Sequence, residues 1–511
     1  MDCVCAQQWS PDGGKLRAVP DANTDSGPSE SGQAKADSGH TAGRYLRSSG
    51  AAALSQGLRV LSTLVAQFIL RRWIPAEDWG LFQWSLVVFL VLSAIRDLGL
   101  GYHVLRVEPR PYGNLLALEV VWGGFLFLMA TLAAPLGPTL FAGSHEHTVG
   151  VLRLLAVFLI LDGLAMVPRI YLEGELQVGR AVAPELWRNG FFVASACVLA
   201  YFGLGVWSLA IAHTLSTGCY AAMLWRRVWR EIPLHFDAAR MLPLLRESLP
   251  LAIIWFLAIL IRQIDPLVLG LRFPFETVGN YTFAFEWATM AAGQILLPAI
   301  TRAFYPALLR FGVRSKEMFR AYSLSTLFIL SIEIPAAFFL FLNAELVLRL
   351  VGGGQWTEAP HYLRVLAFAP LVDPFTRLGG EMMKALHWDR LWIFASLLTV
   401  ITYGVGGYVL TGMMGPVGMA WINLLPLGSV VIAWGVYRMS PVGFRRLGAD
   451  LLFLYVVPLP LFAAAYLLAP EDDWLRFGLS LVAAALAVAV SAWRFGADFL
   501  DFFRQPTEPS S

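Results

Sequence analysis

The sequence predicts an all-α integral membrane protein with about fourteen transmembrane helices in two related halves. Composition is the first observation: of the 511 residues, 57% are hydrophobic and 14% are charged, and the mean hydropathy is +0.61. The second is a series of apolar stretches of about twenty residues, the length that crosses a bilayer as a helix. The third is a residue pattern that returns in the second half. Two related bundles are typical of a carrier, because a site between them can face each side in turn.

The predicted helices follow from the apolar stretches, which are joined by short polar loops. In chain order they cover about 48–70, 80–100, 114–137, 149–171, 184–202, 206–226, 248–271, 279–301, 319–342, 360–384, 391–411, 416–437, 450–469 and 475–494. The first stretch carries Arg59, and the tenth carries several charged residues.

An internal repeat is indicated by residue types that recur at fixed offsets. The first set recurs at an offset of 199 (274 − 75 = 199) and matches Pro75, Glu77 and Gly80 with Pro274, Glu276 and Gly279. The second set recurs at an offset of 211 (364 − 153 = 211) and matches Arg153 and Asp162 with Arg364 and Asp373. Both sets lie at equivalent places relative to their apolar stretches. The chain is therefore expected to contain one helical bundle twice.

Basic residues cluster in alternate loops, which orients the predicted bundle. One set of loops holds Arg106, Arg110, Arg226, Arg227, Arg230, Arg240, Arg246, Arg310, Arg314, Lys316, Arg320, Lys384, Arg390, Arg438, Arg445 and Arg446. The intervening loops hold only Arg71, Arg72, Arg272 and Arg349, and the last of them is acidic at residues 471–473. Under the positive-inside rule the basic loops and both termini are cytoplasmic. Arginine far outnumbers lysine, a bias that favours a bacterial source.

Residues 1–43 differ from the rest, because they are rich in Gly, Ser, Asp and Pro and have almost no apolar periodicity. They lack the charged start, apolar core and cleavage site of a signal peptide, so we expect a disordered cytoplasmic tail. Cys3 and Cys5 in this tail are interpreted as an incidental pair, and Cys197 and Cys219 as small packing residues. No disulfide framework is implied.

Several functional classes lack their sequence motifs. The chain has no phosphate-binding G-x-x-x-x-G-K-[ST] loop, no H-E-x-x-H or C-x-x-C metal pair and no G-x-S-x-G nucleophile motif. No cofactor, metal site or nucleic-acid partner is therefore predicted. The outward loops are too short for a separate catalytic domain. Transport is expected to run downhill or to use an ion gradient.

Three blocks of residues resemble the O-antigen and polysaccharide flippase family. The first is Pro75-Ala-Glu-Asp-Trp-Gly80-Leu-Phe followed by Asp97-Leu-Gly99-Leu-Gly. The second is Asp265-Pro-Leu-Val-Leu-Gly270 with Val278-Gly279-Asn-Tyr281 and Ala284. The third is Leu348-Arg-Leu-Val-Gly352, Gln355-Trp356-Thr-Glu-Ala359 and Leu363-Arg364-Val-Leu-Ala367. Their order and spacing extend over roughly residues 44–440.

This resemblance implies membership of the multidrug/oligosaccharidyl-lipid/polysaccharide exporter superfamily. It implies two pseudo-symmetric six-helix bundles, two additional C-terminal helices and alternating access. The expected boundaries are a tail at 1–43, bundles at 44–230 and 248–440, a cytoplasmic linker at 231–247, and the last helices and tail at 441–511. The implied substrate is a polyprenyl-pyrophosphate-linked oligosaccharide that moves from the inner to the outer leaflet. The polar tail has no counterpart in the family pattern.

Such a substrate requires a hydrated cavity with cations for its phosphates, and arginine suits phosphate because its planar group donates two hydrogen bonds together. Arg59 shares a helix face with Ser55 and Ser62, as expected for a cavity wall. Arg262 lies at similar depth in the seventh predicted helix, and Arg377 is a further candidate. The alternative for Arg262 is a structural ion pair with Asp265 one turn later.

Four carboxylates at membrane depth are candidates for coupling transport to a proton or sodium gradient: Asp265, Glu286, Asp162 and Asp373. The alternative is neutralisation by arginine, with Arg169 near Asp162 and Arg377 near Asp373. Glu333 is a further carboxylate at this depth. Arg96 is interpreted as part of a structural turn at the cytoplasmic surface, and His213 as a helix-packing residue.

Other functions of such a membrane protein are less well supported. An ion-coupled drug or cation antiporter of the same superfamily would use a carboxylate-lined pocket with few central arginines. A membrane glycosyltransferase or polymerase would need acidic residues on large outer loops. A carrier of lipid-linked oligosaccharide, working beside polysaccharide polymerase or glycosyltransferases in a bacterial inner membrane, fits the sequence best.

Overall fold

The computed structural model describes four parts of the chain. They are residues 68–290 except 106, 141–144, 176 and 178; the single positions 300, 304 and 308; residues 316–439 except 387; and residues 445–504. These parts are helical and contain no strand. Helices dominate because hydrocarbon offers no hydrogen bonds, so each backbone group must be satisfied within its own segment.

Five long helices form the described part of the first half. They are α1 (Ala76–Asp97), α2 (Tyr112–Ala133), α3 (Thr148–Gly174), α4 (Gly179–Tyr201) and α5 (Val206–Val228). Residues 68–73 are also helical and lead into α1. Short helical segments lie at Leu100–Val104, Ala134–Leu136 and Gly137–Leu140.

The second half begins with a long helix that follows a short connection. Its helices are α6 (Ala238–Gly270), α7 (Phe275–Thr289), α8 (Lys316–Gly352), α9 (Ala359–Leu366), α10 (Asp373–Ala385), α11 (Asp389–Ile401), α12 (Gly407–Met414), α13 (Val417–Ile422) and α14 (Leu427–Met439). A 3₁₀ segment at Ala369–Val372 joins α9 to α10, and a π-helical segment at Thr402–Gly406 joins α11 to α12. Asn343 introduces a kink into α8.

Three helices follow the second half: α15 (Arg445–Val456), α16 (Pro458–Leu468) and α17 (Asp473–Arg504). α17 lies antiparallel to α8, because Arg320 pairs with Asp498 at 3.9 Å and Arg349 pairs with Asp473 at 3.1 Å. The C-terminal helices therefore pack against the second half, along the length of α8.

Eight helical spans in the described residues are long and apolar enough to cross a membrane. They are Ala76–Asp97, Tyr112–Thr139, Thr148–Gly174, Lys316–Gly352, Arg390–Met414, Val417–Val436, Leu447–Leu468 and Asp473–Asp498. The all-α membrane fold predicted from the sequence is confirmed. The count of about fourteen helices stays a prediction.

The first repeat found in the sequence corresponds to matching helix starts. α1 follows Pro75 (φ −57°, ψ 152°), and α7 follows Pro274 (φ −58°, ψ 155°). The two helices pack directly on each other through Gly80 and Gly279. A Cβ on Gly80 would overlap the carbonyl oxygen of Phe275, and one on Gly279 would overlap that of Ala76. Glycine is needed here because the two backbones touch.

The second repeat relates a continuous helix to a broken one. α3 begins at Thr148 and ends at Gly174, and the segment from α9 to α10 begins at Ala359 and ends at Ala385. The offset is the same at both ends (359 − 148 = 211; 385 − 174 = 211). The second segment is interrupted by its 3₁₀ turn. The two segments therefore have equal lengths, but the first is one continuous helix and the second is broken.

Candidate functional site

A cavity of about 600 Å³ lies between α1 and the helices of the second half. Its wall contains residues of α1, α6, α7 and α10, together with the 3₁₀ and π-helical segments. Five candidates from the sequence line it: Arg262, Asp265, Glu286, Asp373 and Arg377. Its volume lies within the range of ligand pockets, about 300–1,000 Å³. The structure thus brings the second-half candidates together.

Arg262 is accessible from this cavity and has neither a hydrogen-bond partner nor an ion-pair partner among the described residues. The sequence-based alternative that Arg262 pairs with Asp265 is wrong, because Asp265 accepts hydrogen bonds from other groups. Asp373 and Arg377 of α10 are close enough to Arg262 to act on it electrostatically. Its guanidinium is therefore available to an anion in the cavity.

Arg377 and Asp373 form an ion pair one turn apart on α10, with Nη2 and Oδ2 at 3.3 Å. This is the i, i+4 neutralisation that the sequence offered for Asp373. Both side chains are about one third exposed, at 34% and 35%. An anion entering the cavity could therefore compete with Asp373 for Arg377.

Asp265 lies in the wall of the cavity and is 6% exposed. The hydroxyl of Tyr281 and the amide nitrogen of Asn423 each donate a hydrogen bond to its Oδ2, at 2.7 Å. These residues come from α6, α7 and the segment after α13, so the Asp265 site (Asp265, Tyr281 and Asn423) joins three parts of the second half. Neutral donors allow a carboxylate to remain buried without a fixed cation. The site has oxygen groups suited to a small cation.

Glu286 is held by the first half. Its carboxylate accepts from Arg71 Nη2 at 2.7 Å and from Gln83 Nε2 at 2.8 Å. Arg71 is fully buried, and its guanidinium carbon lies over the ring of Trp79 at 3.8 Å and over that of Trp356 at 4.7 Å. Arg71, Gln83, Glu286, Trp79 and Trp356 are called the Arg71 cluster below.

The Arg71 cluster joins the two halves at the end where α1 and α7 begin. Gln355 and Trp356 both donate to the backbone carbonyl of Arg71, the latter at 2.9 Å. Arg72 donates to the carbonyl of Leu350 at 2.5 Å. The sequence assigned Arg71 to a poorly charged loop and missed this role. No local signal could have revealed it, since Trp356 lies 285 residues away in the chain.

Asp162 does not line the large cavity; it lies in a small pocket of about 140 Å³ whose wall is made of first-half residues and Ile259 of α6. Its direct partners are Arg96 Nη2 at 2.8 Å and the hydroxyl of Ser93 at 3.0 Å. Arg96 also pairs with Glu119 at 2.8 Å through Nε and donates to the carbonyl of Leu159 at 2.6 Å. Arg96, Glu119 and Asp162 form the Arg96 cluster.

α1 ends in a turn beside Arg96, as expected, with φ of 48° at Leu98 and 68° at Gly99. The expected surface position of Arg96 is wrong, because its side chain is buried and holds α1, α2 and α3 together. Arg169, proposed as the partner of Asp162, acts on it electrostatically and forms an ion pair with Glu173 at 3.4 Å. His213 packs against the rings of Phe82, Phe158 and Phe192, as expected for a helix-packing residue.

The candidates Arg59, Ser55 and Ser62 lie outside the described residues. Their expected place on a cavity wall stays a prediction. Two other residues of the site were missed by the sequence analysis, Tyr281 and Asn423. Neither is ionisable near neutral pH, and Asn423 is 158 residues from the carboxylate that it contacts. Only the folded chain brings these groups together.

Comparison with known sequences finds two glycan-related relatives. The chain is 23% identical over 395 residues to the succinoglycan biosynthesis transport protein ExoT of Rhizobium meliloti (strain 1021), covering 74% of this chain and 77% of that one. It is 21% identical over 297 residues to the probable low-salt glycan biosynthesis flippase Agl15 of Haloferax volcanii, covering 57% of this chain. The match spans 61% of the length of Agl15, less than two thirds.

Solved transporter structures share the fold. Lipid II flippase MurJ in an inward closed conformation superposes with a TM-score of 0.72 at 12% identity, over 89% of this chain and all of that one. A multidrug resistance MATE family transporter of the MOP superfamily, in an inward-facing conformation, gives 0.61 at 17% identity, over 77% of this chain and 95% of that one. At these identities the likeness shows the fold alone.

The family comparison agrees with the blocks recognised in the sequence. The family described as polysaccharide biosynthesis protein matches residues 69–361, which is more than half of the 511-residue chain. The match begins just before Arg71, ends in the first turn of α9 and includes the cavity wall on α1, α6 and α7. The chain belongs to this polysaccharide biosynthesis protein family.

Proposed function

We propose that the chain carries a polyprenyl-pyrophosphate-linked oligosaccharide from the inner to the outer leaflet by alternating access, for cell-surface polysaccharide synthesis. Membership of the family supports this function, and so do the names of relatives described as a glycan biosynthesis flippase and a succinoglycan transport protein. MurJ, described as a lipid II flippase, shares the fold. The relatives and structural neighbours are transporters, and we propose that this chain has no enzymatic activity of its own.

Arg262 carries the proposal. A guanidinium without a partner inside a membrane bundle is costly, at least about 2.5 kcal/mol on insertion scales. That cost is offset when an anionic ligand occupies the cavity. Arg377 would contribute a second guanidinium if the ligand displaced Asp373. Two arginines at one wall match a pyrophosphate, whose oxygens accept paired hydrogen bonds. Arg59, Ser55 and Ser62 are proposed to extend this surface from the first half.

The same cavity argues against a carrier of cationic drugs. Glu286 is paired with Arg71, and Asp373 is paired with Arg377. Among the described residues this leaves Arg262 and Asp265 as the unpaired charges of the wall. Arg262 is exposed, whereas Asp265 is 6% exposed and held by two hydrogen-bond donors, so the accessible charge that faces the ligand space is positive. A cationic ligand would meet repulsion there, whereas an anion would be attracted.

Ion coupling is proposed to involve the Asp265 site. Asp265 has hydrogen-bond donors but no ion-pair partner among the described residues, so a proton or sodium ion could be bound without displacing an arginine. Glu286, Asp373 and Asp162 each have an arginine partner. Coupling through any of these three would require an ion pair to open. Asp265 is therefore the preferred candidate.

We propose that the protein is a multi-pass protein of a bacterial inner membrane with both termini in the cytoplasm. The proposed boundaries are those of the sequence analysis: a tail at 1–43, bundles at 44–230 and 248–440, a linker at 231–247, and C-terminal helices at 441–511. Membrane lipids and the glycosyltransferases or polymerase of the same glycan are the proposed partners.

The orientation can be tested by thiol labelling. In a cysteine-free background, a cysteine replacing Asp472 should react with an impermeant thiol reagent outside the cell. One replacing Lys384 should not, and the reverse labelling would overturn this orientation.

The phosphate role of Arg262 can be tested by glycan export in a bacterial strain that lacks its own flippase. Arg262→Ala should lower export about 10- to 100-fold, because a charge-assisted hydrogen bond contributes about 1.5–3 kcal/mol. Arg262→Lys should retain part of the activity, since it keeps the charge and loses the two-pronged geometry.

Arg153→Ala is the matched control, because Arg153 is an exposed arginine of α3 outside the cavity wall. Membrane levels of each variant are compared by blot. Export by Arg262→Ala equal to that of Arg153→Ala would refute the phosphate role and leave the family assignment intact.

A further inference from the structure

Glu333 lies in the middle of α8 and is 3% exposed. Both of its carboxylate oxygens are buried and lack a hydrogen-bond partner. No ion pair or other contact among the described residues neutralises it. The isolated charged form of a carboxylate is strongly disfavoured in such a place. The carrier function proposed above gives no role to this buried carboxylate.

The helix face of Glu333 is apolar. Leu330 and Ala337, at i−3 and i+4, lie on the same face and belong to a hydrophobic cluster that also contains Leu454 of α15 and Phe495 of α17. Glu333 therefore lies at the boundary between the second half and the C-terminal helices.

Charged groups at the ends of α17 are far from Glu333. Arg320 and Arg349, which pair with α17, are 13 and 16 residues away along α8 (333 − 320 = 13; 349 − 333 = 16). These separations correspond to about 20 and 24 Å along the helix. Neither end of α17 can supply a counter-charge to Glu333.

Three ionisable side chains act on Glu333 among the described residues. Asp373 and Arg377 approach from α10, and Tyr455 approaches from α15. Asp373 and Arg377 also line the cavity. Because these two are paired with each other, they present little net charge to Glu333. The cavity is thus a polar region from which a proton could reach the carboxylate by way of Asp373 and Arg377.

We propose that Glu333 is a proton-binding site that exchanges its proton with the cavity during transport. The carboxylate takes up one proton from cavity water and becomes a neutral acid, and release of that proton restores its negative charge. A ligand phosphate that draws Arg377 away from Asp373 would change the charge facing Glu333. Proton binding and occupancy of the cavity would thereby be linked. This proposal rests on the proposed carrier function, since it assigns a coupling proton to that cavity.

The protonation state can be measured without a substrate. Infrared spectra of the purified full-length protein in lipid nanodiscs should show the carbonyl stretch of a buried carboxylic acid at neutral pH. Glu333→Gln should remove that band, and raising the pH should diminish it in the wild type. Glu317→Gln is the matched control, because Glu317 is an exposed glutamate on the same helix. A spectrum of Glu333→Gln identical to that of the control would overturn the proposal.

The exchange step can be measured in proteoliposomes with a fluorescent polyprenyl-pyrophosphate-linked disaccharide and an imposed pH gradient. Glu333→Gln should lower the stimulation by the gradient, with the remainder carried by the Asp265 site, and Glu333→Asp should restore part of what is lost. Full stimulation in Glu333→Gln would overturn the exchange role. Failure of the wild type to flip this probe would count against the proposed function, whereas the infrared result would still decide whether Glu333 holds a proton.

Discussion

The two halves share one plan but use equivalent positions differently. Gly163 of α3 corresponds to Pro374 of α10 at the offset of 211 (374 − 163 = 211). In the first half, a Cβ at Gly163 would lie 2.6 Å from Glu119 Oε2 and 3.4 Å from Arg96 Nε, so glycine leaves room for the Arg96 cluster. In the second half, Pro374 lies near the start of α10, directly after the break. In the first half, α3 packs closely around the charged side chains of the Arg96 cluster, whereas in the second half the corresponding helix α10 lines the cavity.

Arginine shows the same contrast. Arg96 is buried and bound to two carboxylates and a carbonyl, so its charge serves the packing of three helices. Arg262 faces the cavity without a partner among the described residues. Removal of Arg96, which holds helices together, should lower stability. Removal of Arg262, which is accessible to a ligand, should lower transport. Among the described residues, the buried arginine of the first half thus serves helix packing, and the second half supplies the charged groups that are accessible in the cavity.

The largest effect is expected from Arg96→Ala. It leaves Glu119 and Asp162 without their shared cation, and removal of one partner from a buried ion pair costs about 3–5 kcal/mol. The melting temperature of the purified protein should fall far below that of Arg262→Ala, which should melt at or above the temperature of the wild type. Tryptophan fluorescence during heating provides the measurement.

Replacing the carboxylates of Glu119 and Asp162 by neutral amides provides the control for this prediction. Adding Glu119→Gln and Asp162→Asn to Arg96→Ala should recover part of the lost stability, because no buried charge then lacks a partner. Equal melting temperatures for Arg96→Ala and Arg262→Ala would remove the contrast between the two halves.

A smaller effect is expected at the contact that joins the halves. Gly80→Ala places a methyl group against the carbonyl oxygen of Phe275, and overpacking of this kind costs about 1–3 kcal/mol. Gly190→Ala is the control, since a Cβ on Gly190 in α4 meets no atom within 4 Å. It should be neutral or stabilise by up to about 1 kcal/mol. Equal thermal unfolding of the two variants would show that α1 and α7 do not need glycine at this contact.

The sequence predicted the all-α membrane fold, because that depends on hydrophobic length, and it named five of the residues that line the cavity. Pro75 and Pro274 were matched correctly, since helix starts are set by local residues. The partners of charged residues were predicted less well. Asp373 does pair with Arg377 one turn away, but Asp265 is bound by Tyr281 and Asn423 and not by Arg262.

Burial of arginine was the other feature that the sequence did not predict. Loop charge statistics treat each basic residue alike, so Arg71 and Arg96 were both assigned to helix ends near a membrane surface. Their burial depends on aromatic rings and carboxylates from distant segments, as with Trp356 around Arg71 and Glu119 around Arg96. Pairing across helices is a property of the packed bundle, and helical periodicity carries no information about it.

The smallest effect on stability is expected where the broken helix differs from its continuous counterpart. Proline at 374 has no N–H and cannot continue an α-helical ladder back to residue 370. Pro374→Ala restores that donor and favours a helix like α3, with a change in stability of about 1 kcal/mol or less. Export should nevertheless fall by up to about tenfold, because a conformational bias of about 1.4 kcal/mol shifts an equilibrium by that factor. Pro168→Ala, inside the continuous α3, is the matched control and should leave export unchanged. If Pro374→Ala exports glycan as well as Pro168→Ala, the break in the second half is a feature of the fold that transport does not require.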